Sequence, residues 1–134
     1  MIRRATLADR EQVEGWIERD FHAVDYSQVL ANEMNVCLVS GEGGSIFVWR
    51  GPGIYEVHCF FEQRGMEVRE ISAAMLGLMA RDHGAKLVWA AIPDESRNVK
   101  TYVRWLGFKS VGNAVFPHGP CELFIWENSP CLQS

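Results

Sequence analysis

The apolar positions of this chain change their period several times, and each change marks an element. Ile2 to Ala5 reads as a short strand, and Thr6 followed three positions later by Asp9 resembles a helix start. Val13, Trp16 and Ile17 then recur at spacings of three and four, which predicts a helix with one apolar stripe toward a core and Arg10, Glu11, Glu14 and Glu18 toward water. Between Phe21 and Asn35, the positions Phe21, Val24, Val29, Leu30 and Met34 allow a second helix, with Asp25-Tyr26-Ser27 predicting a turn before it. From Val36 the pattern becomes strand-like. Val36-Cys37-Leu38-Val39, Ile46-Phe47-Val48-Trp49 and Ile54 to Phe61 are short apolar runs separated by the glycine-rich stretches 40–44 and 50–53, which predicts an antiparallel meander.

After Gly65 the period returns to that of a helix. Val68, Ile71, Met75, Leu78 and Met79 share one face, and Gly84 is a natural terminator. Leu87 to Ile92 is apolar enough for a central strand, and Val99, Tyr102, Val103 and Leu106 mark a further helix stopped by Gly107. Phe108 to Val111 and Cys121 to Trp126 close the chain as strands, separated by a loop holding Pro117, His118, Gly119 and Pro120. The order predicts an α/β (α+β) fold with a mixed central sheet of about six to seven strands and about four flanking helices. Residues 1–127 are expected to form a single domain and 128–134 a flexible tail.

Length and charge narrow the function classes. A chain of 134 residues with 48% hydrophobic residues can build one core. Its formal net charge of −4 offers no broad basic field for nucleic acid or an anionic membrane. No run approaches the roughly 18–20 apolar residues of a membrane span, and the start at Met1-Ile2-Arg3-Arg4 lacks the apolar stretch of a signal peptide, so a cytoplasmic protein is expected. Cys37, Cys59, Cys121 and Cys131 have no metal-like spacing and read as reduced thiols, with Cys37 and Cys59 buried in apolar runs. His22, His83 and His118 are scattered, so no metal is expected. The five tryptophans, one per element, read mostly as core anchors; exposed ones, like exposed strand edges, permit a homodimer.

The stretch from Tyr55 to Phe108 carries a resemblance. A strand, then Gln63-Arg64-Gly65, a long amphipathic helix, a strand, and a short helix ending in Arg104-Trp105-Leu106-Gly107-Phe108 is similar to the cofactor-binding core of the GCN5-related N-acetyltransferases. The resemblance extends over nearly the whole chain. It implies a GCN5-like fold, an acyl-coenzyme A co-substrate lying where the strand before the long helix splays from its neighbour, and pyrophosphate held by backbone amides at the helix start. Those amides and the positive end of the helix dipole suit a phosphate. The family's Arg, Gly, x, Gly, x, Gly-or-Ala pattern maps onto Arg64, Gly65, Met66, Glu67, Val68 and Arg69. Glu67 stands where glycine is usual and brings bulk and negative charge toward a polyanion; Arg69 replaces a small residue. The family's acid tyrosine, four residues before the Gly of the Gly-Phe ending, falls on Val103, and Tyr102 is its neighbour, about 100° round the helix.

The resemblance also implies acetyl transfer to an amine, small-molecule or protein, which needs a base on the strand before the long helix. Alternation along that strand puts Glu56, His58 and Phe60 on one face and Tyr55, Val57 and Cys59 on the other, making Glu56 and His58 neighbours and turning Cys59 away from them. Glu56, His58 and Tyr102 are therefore the candidate catalytic residues. The altered motif also resembles short acetyltransferase-like proteins of tailed bacteriophages, which implies an alternative role without catalysis, in a virion and among virion proteins.

Overall fold

The computed structural model describes residues 1–20, 26–41, 43–61, 66–117 and 119–128. Within them a seven-stranded sheet has the order β1-β2-β3-β4-β5-β7-β6, formed by β1 (Arg3–Arg4), β2 (Val36–Ser40), β3 (Gly43–Gly51), β4 (Ile54–Phe61), β5 (Leu87–Pro93), β6 (Lys109–Phe116) and β7 (Gly119–Glu127). The described helices are α1 (Arg10–Asp20), α2 (Tyr26–Ala31), α3 (Met66–His83) and α4 (Arg97–Trp105), with a 3-10 turn at Leu7–Asp9 leading into α1. The mixed α/β architecture expected from the sequence is present.

Every strand pairing is antiparallel except β4 with β5. The meander β2–β3–β4 follows the sequence pattern, but β3 is longer than its apolar run because Gly43 and Gly44 belong to the strand. A Cβ at Gly44 would press on the Leu38 carbonyl of β2, so glycine here serves close strand packing as well as the turn. The loop expected around Pro117 to Pro120 contracts in the same way. Val115 pairs with Pro120 and Phe116 with Gly119, which lengthens β6 and β7 into one hairpin.

Two apolar clusters lie on opposite faces of the sheet. On one face α3 and α4 bring Val68, Met75, Leu76, Met79 and Val103 against Phe47, Tyr55, Val88, Ile92 and Phe124. The stripe on α3 follows the expected period, with Ile71 and Leu78 at its margins. Gly84, at φ +67, then ends α3 in the left-handed conformation. On the other face α1 and α2 bring Val13, Trp16 and Val29 against Cys37, Val39, Ile46 and Phe60. Helix α2 begins at Tyr26, where a turn was expected, and the preceding residues 21–25, like the tail 129–134, lie outside the described residues. Asn128 is tied to the sheet by its N–H, which donates to the Lys86 carbonyl at 2.9 Å.

At the chain start the Asp9 carboxylate accepts from the Thr6 N–H at 2.8 Å, while the Asp9 N–H donates to the Thr6 carbonyl at 2.9 Å. Asp9 therefore plays the reciprocal role usually taken by Glu. Arg3 adds two bonds to the same carboxylate and holds it ionised well below the usual carboxylate range. No helix among the described residues is long and apolar enough to cross a membrane.

Candidate active site

The parallel ladder between β4 and β5 is short. It pairs Ile54 with Leu87, Tyr55 with Val88 and Glu56 with Trp89, and there it stops, although β4 runs on to Phe61 and β5 to Pro93. Beyond that point β4 keeps β3 on one side, through Ile46↔His58 to Gly43↔Phe61, and β5 keeps β7. The inner edges of the two strands diverge into a V whose vertex is the Glu56–Trp89 pair. Such divergence at the C-terminal ends of parallel strands opens a crevice lined by main-chain donors and acceptors.

Glu56 and His58 stand at the vertex, on the α1/α2 face. His58 Nε2 lies 2.7 Å from Glu56 Oε2, and both side chains are largely buried. Arg50, brought opposite by the β3–β4 hairpin, donates to Glu56 Oε1 through Nε at 2.9 Å and Nη2 at 2.6 Å. The hydrogen bond from His58, followed by those from Arg50, lowers the Glu56 pKa to about 2, against an opposing effect of burial. An ionised carboxylate only accepts, so this geometry puts the proton of a neutral His58 on Nε2 and the basic lone pair on Nδ1. Glu56 is then an orienting anion more than a base.

The downward shift of Glu56 has a consequence for stability. A carboxyl whose folded pKa is depressed contributes fully above its unfolded value of 4.5, and the contribution is lost as pH falls through about 2. Thermal midpoints of the wild type and Glu56→Gln are expected to differ most near neutrality and to converge across that acid window. Parallel curves from neutral to acid pH would remove the ion-pair account of Glu56.

Cys59 projects to the opposite face, accepting from Ser45 Oγ at 3.3 Å. Its burial raises the thiol pKa, as burial raises that of Cys37 to about 12. Burial thus disfavours, at both sites, the thiolate that a nucleophile needs. Tyr102 also lies on the opposite face, on α4, where its hydroxyl and Ser72 Oγ of α3 form a hydrogen bond. Val103 instead turns into the core. The sequence-predicted neighbours Glu56 and His58 are thus brought together, while Tyr102 lies across the sheet from them.

Of the residues mapped to the phosphate site, Arg64 and Gly65 lie outside the described residues. Met66, Glu67, Val68 and Arg69 form the first turn of α3. Glu67 is exposed, Val68 packs in the core, and the Arg69 guanidinium lies 5.4 Å from the ring centroid of Trp105. Arg69 is therefore stacked on an aromatic partner, a contact its spacing did not reveal. Arg50, Trp89 and Ser72 were also missed. Arg50 sat in what read as a turn, and only the hairpin register shows that it faces Glu56.

A separate cleft of about 390 Å³ lies beside α1 and β1, lined by Arg3, Asp9, Trp16 and Val39 among others, and shares no residue with the V. Among the described residues no group of three or more His, Cys, Asp or Glu could hold a metal.

The fold is similar to that of solved N-acetyltransferases. It superposes on a chimera of spermidine N-acetyltransferase SpeG from Vibrio cholerae and hSSAT with a TM-score of 0.85, at 10% identity over 98% of this chain and 99% of that one. It is similar also to aminoglycoside acetyltransferase AAC(6')-Ib in complex with paromomycin and acetyl-CoA (TM-score 0.78, 14% identity, 100% and 96% covered). A third neighbour is the ribosomal-protein-S5-alanine acetyltransferase from Vibrio fischeri (TM-score 0.75, 13% identity, 96% and 92% covered). No protein-family model and no curated sequence matches the chain. The likeness is one of fold, carried by packing and topology.

Proposed function

We propose that this chain is an N-acetyltransferase that moves an acyl group from acyl-coenzyme A to an amine. The observation that carries the reading is the termination of the β4–β5 ladder at Glu56–Trp89, beside a charge-coupled Glu56–His58 pair. Inner strand edges in the V offer main-chain hydrogen bonds to an extended, amide-bearing ligand. The amides of Met66 to Arg69 are the donors suited to its phosphates, with Arg64 and Gly65 preceding them in sequence. Bound acyl-coenzyme A would supply the thioester.

The protein's own part is proton management. His58, oriented by Glu56 and Arg50, accepts a proton at Nδ1 from the acceptor ammonium, directly or through a water, and leaves a neutral amine. We assign the acid to Tyr102, which would give its phenolic proton to the departing sulfur from the opposite face, with Ser72 holding the hydroxyl. Tyr102→Phe is expected to lower kcat about a hundredfold with little change in KM. An unaltered kcat would leave the phenol as a fastener between α3 and α4.

Isothermal titration with acetyl-CoA tests the reading. A saturable one-site heat is expected, with weak affinity because Glu67 sets a carboxylate near the phosphates. Glu67→Gly is expected to tighten binding about fivefold, the worth of roughly 1 kcal/mol of local charge interaction. Unchanged or weaker affinity would move the phosphates away from this turn. Absence of heat with the wild type and the variant at high protein concentration would favour the alternative, a binding or assembly role without catalysis.

A further inference from the structure

The sheet is covered unequally. Among the described residues of the α1/α2 face, those helices pack over β2, β3 and β4, and the cluster they form includes no residue of β5, β6 or β7. Trp89 and Ala91 of β5 and Leu123 and Ile125 of β7 point to that face, belong to neither core cluster and are all only partly buried. Register makes them continuous with the candidate base. One row across the sheet reads Val48, Glu56, Trp89, Ile125, Lys109. The next has His58 on one wall of the V and Ala91, then Leu123, on the other.

Building on the acetyltransferase reading, we infer that this apolar floor is the acceptor subsite and that the acceptor is a monoamine with an aromatic or apolar body, its nitrogen at His58 and its body on Trp89, Leu123 and Ile125. The floor beside the V is apolar: the carboxylate at its edge, Glu56, is already bound by Arg50, and Trp89, Leu123 and Ile125 offer carbon surface, not charge, to the body of an acceptor. Apolar surroundings also favour the neutral form of a single amine, which is the form that attacks. An aromatic body gains stacking and area on Trp89.

The test compares 2-phenylethylamine and tryptamine with spermidine and kanamycin, in thiol release from acetyl-CoA and in amide chemical-shift titrations without coenzyme. Arylalkylamines are expected to exceed the polycations in kcat/KM by about tenfold or more. Trp89→Ala should raise KM for 2-phenylethylamine about tenfold at similar kcat, with Trp89→Phe restoring most of the loss. Preference for spermidine or kanamycin, or a KM indifferent to Trp89→Ala in folded protein, overturns the inference while leaving acetyl transfer standing. The titration decides even without turnover. Saturable shifts at Trp89, Ala91, Leu123 and Ile125 with 2-phenylethylamine support an amine subsite. Their absence, or concentration-dependent broadening of the same amides without amine, assigns the face to something else, in the latter case to a second copy of the chain.

Discussion

His58→Ala is expected to lower kcat/KM for acetyl transfer by about 10²–10⁴, the usual worth of a positioned base, while thermal stability falls only modestly. The expectation follows from the division of labour at the vertex. Glu56 is held ionised by His58 and Arg50, with a pKa of about 2, and is a poor proton acceptor near neutrality. His58 is the neighbouring group able to receive the proton. Glu56→Gln should therefore act mainly through His58, with a smaller loss, because an amide no longer fixes the orientation of the imidazole as the ionised carboxylate does. Initial rates across pH for the two variants decide it. If Glu56→Gln is the more damaging substitution and His58→Ala is nearly silent, the roles are reversed. If neither matters, the base lies off β4.

Phe60→Ala is expected to cost about 3–5 kcal/mol of folding stability, measured by denaturant unfolding. Phe60 is fully buried, with its ring centroid 5.8 Å from that of Trp16. Its position makes the loss larger in consequence than an ordinary cavity. Past Glu56 the strand β4 has, among the described residues, only β3 as a ladder neighbour, so one wall of the V is held in place by packing against α1. The same variant should therefore weaken acetyl-CoA binding at temperatures where it remains folded. A cost below about 1 kcal/mol would mean that α1 does not hold that wall.

The fold was legible where periodicity and punctuation agreed. Val68, Met75 and Met79 on α3, the meander of β2 to β4, and the stops at Gly84 and Gly107 rest on local patterns that tertiary packing preserves. The hairpin β6–β7 was underestimated because Pro120 and Gly119 resemble a loop, yet Pro120 sits at the start of β7, where its strand pairing is tolerated. At the candidate site, Glu56 and His58 were legible because they are two apart on a strand. Arg50 and Trp89 were not, since their approach depends on hairpin register and on a parallel pairing between segments distant in sequence. Ser72 and Tyr102 were hidden for a similar reason: two helices must cross before a small hydroxyl meets a phenol.

The central claim is that acyl-coenzyme A occupies the V between β4 and β5. Backbone amide shifts on titration with acetyl-CoA test it most directly. The account predicts saturable shifts at Cys59 and Phe60 on one wall, Ala90 and Ala91 on the other, and at Glu67 to Arg69 in the first turn of α3. Shifts confined to the cleft around Arg3, Asp9 and Trp16, or none at saturating ligand, would contradict it.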